Sequence, residues 1–121
     1  MKLSQVRRHA LSLPGVTEEP HFNYASFRVR GKIFVTVPPD ETHIHVFVGE
    51  EQREPALAIH PGFIEKLTWG AKVVGVRIAL EKAQSGVVNR LVSSAWQSKA
   101  PKSLAKALGA TGNVPKGRPS R

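Results

Sequence analysis

Within residues 25–48, apolar side chains recur at every second position in three successive runs, a period that belongs to β-strands and not to helices. In the first run Ala25, Phe27 and Val29 alternate with Ser26, Arg28 and Arg30. Gly31-Lys32 reads as a tight turn, after which Ile33, Val35 and Val37 form a second core-facing set. Pro38-Pro39-Asp40-Glu41 breaks that run. The third, Thr42 to Val48, sets Ile44, Val46 and Val48 opposite His43, His45 and Phe47. Three short strands with turn residues between them predict an antiparallel meander that buries one face.

Helical periods flank this block. Leu3, Val6, Ala10 and Leu13 share one stripe before Pro14-Gly15 ends it, and residues 16–23 read as a connection. Glu50 to His60 reads as a helix with acids in its first turn, closed by Pro61-Gly62. Phe63 to Leu67 has no clear period. Lys72 to Leu80 alternates again, with Val74, Val76, Ile78 and Leu80 opposing Val73, Gly75, Arg77 and Ala79, and Gly75 stands where a bulkier strand residue is expected. Val88, Leu91, Val92, Ala95 and Trp96 then mark a helix whose stripe is buried, so Trp96 is expected in the core. Ser103 is a cap candidate for a last short helix carrying Leu104 and Leu108 and ending at Gly109. The order predicts an α+β fold, an antiparallel sheet with helices on one face, in one domain over residues 1–108, and residues 109–121 read as a basic Gly/Pro-rich flexible tail.

Charge narrows function less than its sum suggests. The chain of 121 residues carries a net charge of +9, but residues 1–98 hold twelve cations against nine acids, and every charged residue from Lys99 onward is basic. High basicity is thus largely a property of the last fifth of the chain. No cysteine is present, which excludes disulfides, thiolate metal sites and thiol nucleophiles. No spacing matches a serine-hydrolase elbow, a phosphate-binding glycine loop or a zinc-binding HExxH, and the adjacent acids Glu18-Glu19 and Glu50-Glu51 diverge on any periodic element. No enzyme activity, cofactor or metal is therefore expected, and the N-terminus shows neither an export signal nor a membrane span, so a cytoplasmic monomer is expected. His43-x-His45 places two imidazoles on one side of a strand but lacks an evident third ligand.

With the helices on one face, the other collects Arg28, Arg30, Lys32, Phe34, Phe47 and Arg77. Guanidinium groups fork onto phosphates and rings accept bases, so this set is the candidate nucleic-acid-binding surface, with Lys116 and Arg118 of the tail adding unspecific attraction. No RNP-type aromatic motif accompanies it. Trp69 lies in the less legible stretch and fits either core or surface.

Leu11-Ser12-Leu13-Pro14-Gly15, the run Phe27 to Phe34, Val76 to Leu80, and Ala95-Trp96 followed by Ala100-Pro101-Lys102-Ser103-Leu104 resemble the MmcQ/YjbR family over about Lys2 to Leu108. The resemblance implies a CyaY-like α/β fold with an antiparallel sheet, described for relatives as a double-wing, DNA-binding-like arrangement. It supplies no catalytic motif, and Pro14, Gly15, Gly31, Lys32 and Pro101 match its pattern as architectural positions. The expectation is a DNA-binding protein with little sequence specificity. The alternative is a protein-interaction or small-ligand module using the same face or the cleft beside Trp69.

Overall fold

In a computed structural model, which describes residues 1–111 and side chains through Lys106, the alternating runs become a six-stranded antiparallel sheet. Chain order is α1 (Leu3–Ser12), β1 (Val16–His21), β2 (Tyr24–Val29), β3 (Lys32–Val37), β4 (His43–Val46), α2 (Glu50–Ile59), β5 (Ile64–Trp69), β6 (Lys72–Ala79), a 3-10 turn at Leu80–Lys82, α3 (Ser85–Lys99) and α4 (Lys102–Thr111). The sheet runs β1-β2-β3-β4-β6-β5. Residues 16–21, read as a connection, form the edge strand β1. Its Pro20, which has no N–H to give to a ladder, is tolerated because one side of that strand has no neighbour. The last helix passes through Gly109 to Thr111 instead of ending there, and Lys116 and Arg118 lie outside the described residues. No described helix is long and apolar enough to cross a membrane.

The core is a single cluster between the sheet and α1, α2 and α3. The stripe Val88, Leu91, Val92, Ala95 and Trp96 is wholly buried, as its spacing predicts. Trp96 also donates from Nε1 to the carbonyl of Pro14 at 2.9 Å, tying the far end of α3 to the end of α1. Replacing Trp96 with Phe keeps most of the apolar contact but orphans that carbonyl. A loss of about 1–2 kcal/mol, read from the urea midpoint, is the expected result.

The hairpin turns differ from the expected positions. Val29 pairs with Lys32, so the two-residue loop is Arg30-Gly31, both at positive φ (52° and 79°), and Lys32 is already in β3. That is the backbone hand which two-residue hairpins favour. Beyond this turn the β2–β3 register skips at Phe27/Arg28, where Phe27 faces Val35 and Arg28 faces Ile33, leaving Phe34 as the extra residue of a bulge. The bulge breaks the period of two. Phe34 is therefore 0% exposed and sits in the core beside Val35, while Ile33, expected inside, is only half-buried. Phe34 is not on the open face.

β4 is short. It meets β3 only at Val35 and Thr36, and meets β6 from Val76 to Ala79, so the β2–β3 and β5–β6 hairpins both run past its end on the same side. A gap opens between their tips, floored by the chain leaving β4 toward α2.

Candidate functional site

On the face away from the helices, one row of polar residues crosses all six strands in register: Glu19, Ser26, Thr36, His45, Arg77 and Glu65. Its groups are largely committed to each other. Arg77 pairs with Glu65 at 2.9 Å. Arg28, next along β2, donates to the Ser26 hydroxyl at 3.0 Å and to the Pro20 carbonyl at 3.2 Å, while Ser26 donates to the Glu19 carbonyl at 2.7 Å. Two of the arginines expected to meet phosphate are thus occupied within the sheet. Arg30 and Lys32 are exposed at the β2–β3 tip, with no ion pair to either among the described residues.

His43 bonds the Thr42 hydroxyl through Nδ1 at 2.9 Å. His45 is half-buried, with Nε2 shut off from solvent and unpartnered, and its ring lies 6.2 Å from that of Tyr24. Among the described residues, no group of three or more His, Cys, Asp or Glu is arranged to hold a metal ion. Burial holds the His45 imidazole below its ordinary pKa, and the cationic neighbours Arg77 and His43 push the same way. Burial likewise lowers His9, partly offset by a backbone hydrogen bond at Asn89. Both are favoured neutral when folded, so the unfolded chain takes up protons first as pH falls below about 6.5. The stability they confer is complete above that pH and is lost progressively toward the depressed folded values. A urea midpoint that drops from pH 7 to pH 5, with a smaller drop in His45→Gln, is expected.

The gap between the hairpin tips is a groove of about 600 Å³. Its apolar lining is Ile33, Phe47, Val48, Trp69, Val73 and Val74, and its polar lining is His21, Thr36, Arg53, Lys72, Ser98 and Lys99. No acid lines it. Trp69 is 63% exposed and meets Phe47 edge to face, with ring centroids 5.5 Å apart. The Arg53 guanidinium, largely buried, bonds Glu54 at 3.0 Å just outside the groove, so Lys72 and Lys99 carry its uncompensated charge. A second groove, about 650 Å³ at the opposite end of the strands, has the reverse character, with Glu18, Glu19 and Glu41 in its lining and no cation among the described residues. Among the described residues, the hairpin-tip groove thus sets aromatic rings beside lysines, whereas the second groove sets them beside acids.

Of the surface residues expected from sequence, Phe47 lines this groove, Arg30 and Lys32 stand at one of its hairpin tips, and Arg28 and Arg77 are spent on the sheet. Sequence reading missed His21, Arg53, Lys72 and Lys99 as partners of Phe47 and Trp69. Lys99, by sequence only the first cation of the basic last fifth of the chain, is the last residue of α3. The one local signal was Trp69 directly before Gly70, since a large ring at the lip of a two-residue loop has little chance of reaching the core.

A family model described as YjbR matches residues 11–98. No curated protein matches the chain. Among solved structures, the crystal structure of the Deinococcus radiodurans protein DR2400, which carries a DUF419 domain, is similar with a TM-score of 0.72 at 18% identity, covering 89% of this chain and 88% of that one. At that identity the likeness speaks for the fold, a six-stranded antiparallel sheet with helices, and not for a shared ligand.

Proposed function

The chain belongs to the YjbR family, and from that premise we propose that it is a non-enzymatic, cytoplasmic DNA-binding protein whose contact surface is the groove between the two hairpin tips. The observation that carries this reading is the acid-free lining in which Trp69 and Phe47 lie among Lys72, Lys99 and Arg53. Cations there and on the adjoining tip, Arg30 and Lys32, would meet backbone phosphates, which carry no sequence information, so little base specificity follows. Tail cations Lys116 and Arg118 would add to the unspecific affinity.

The test is binding of labelled DNA across a salt series. Lys72, Lys99, Arg30 and Lys32 on phosphates give a slope of log affinity on log salt of about −3 to −4, steeper with the tail attached. Lys72→Ala should make it shallower by about 1. Binding that is independent of salt, or a slope that Lys72→Ala and Lys99→Ala both leave unchanged, contradicts the proposal. The groove's volume also favours a second reading, capture of a small anionic aromatic ligand, which would show saturable binding of such a molecule without competition by DNA.

A further inference from the structure

We infer that the groove takes unpaired nucleotides, so that the protein prefers single-stranded to duplex DNA, with Trp69 as the stacking platform. This rests on the DNA-binding reading above and goes beyond it in naming the form of the strand. In a duplex the faces of the bases are occupied by their neighbours, and only edges are offered to a protein, usually to a projecting helix or ribbon. The surface here is the reverse. It is concave, of a volume that encloses something on the scale of a drug-sized molecule, and its lining includes a largely exposed indole.

Trp69 is suited to that use. It belongs to no part of the core cluster, and Leu67, two residues earlier and buried, also lies outside that cluster, so this side of β5 serves a different surface. The indole is held in place without being covered: Trp69 pairs with Lys72 across the Gly70-Ala71 loop and is braced on one side by Phe47. A rigid, 63%-exposed indole loses little entropy on accepting a base. Lys72 from β6 and Lys99 from α3 line the same groove and supply cations for the phosphates on either side of a stacked base.

The experiment compares the full-length chain and its Trp69→Ala and Trp69→Phe variants for binding to a fluorescent thymidine oligonucleotide, to a duplex of equal length, and to thymidine monophosphate as competitor, all at one low salt concentration. Expected is single-strand affinity at least about ten-fold above that for duplex, a loss of about ten-fold for the single strand alone in Trp69→Ala, and recovery of most of it in Trp69→Phe. Because Trp96 is buried, quenching of intrinsic fluorescence by the oligonucleotide should disappear with Trp69. Equal affinity for the two forms, or an unchanged single-strand affinity in Trp69→Ala, overturns the inference while leaving DNA binding intact. Competition by the monophosphate at the same concentration as the oligonucleotide overturns it in favour of a small-ligand site. No binding to either form overturns both readings.

Discussion

Gly75→Ala is expected to cost about 3 kcal/mol or more, enough to leave much of the protein unfolded at moderate denaturant. A Cβ at position 75 would lie 2.2 Å from the carbonyl oxygen of Val46 and 3.0 Å from the Phe47 Cα. Both are backbone atoms, and β4 is held by ladders on each side, so nothing flexible can give way. The glycine that looked out of place in a strand is there because the chain leaving β4 crosses directly over it, and that crossing carries Phe47 to the groove. Gly86→Ala is the control. Its Cβ would meet nothing within 4 Å inside α3, and a gain of about 0.5–1 kcal/mol is expected. Urea unfolding of the two variants checks both signs, and a Gly75→Ala protein as stable as the parent would contradict the packing described for this crossing.

The second large effect is on binding. Lys72→Glu combined with Lys99→Glu reverses the charge of the groove without touching the core, so stability should change by no more than about 0.5 kcal/mol per site. DNA affinity at low salt should fall about 100-fold, equivalent to roughly 2.7 kcal/mol. Arg28→Ala combined with Arg77→Ala, which removes the two arginines already bonded within the sheet, should change affinity several-fold less. If the sheet arginines matter more than the groove lysines, the binding surface is the flat of the sheet and not the gap between hairpins.

These contrasts show what a linear chain discloses. Strands β2 to β4 and helix α3 were legible because each buries one side against one core, which imposes a period. β1 was not: as an edge strand carrying Glu18, Glu19 and Pro20 it buries almost nothing, so it has no period to read. β5 was obscured differently. Ile64 belongs to the core cluster whereas Leu67, three residues later, is buried outside it, and the bulge opposite Leu67/Thr68 leaves Val74 of β6, expected in the core beside Val76, lining the groove instead. The bulge at Phe34 defeated a residue-by-residue extrapolation in the same way. The site was harder still, because Trp69 meets Phe47 only through the non-sequential order β4-β6-β5, and the Arg77–Glu65 pair depends on the register of that last hairpin. From sequence, cations and rings were expected together on the helix-free face; strand pairing instead commits Arg28 and Arg77 to bonds within the sheet.

The most direct measurement is an amide chemical-shift titration of the full chain with a short DNA strand. Perturbations should cluster at Ile33, Thr36, Phe47–Gly49, Trp69–Val74 and Ser98–Lys99, with the Trp69 indole signal among the largest. Shifts concentrated instead around Val37–Glu41 at the acidic end, or confined to residues after Lys106, would contradict a binding site between the hairpins.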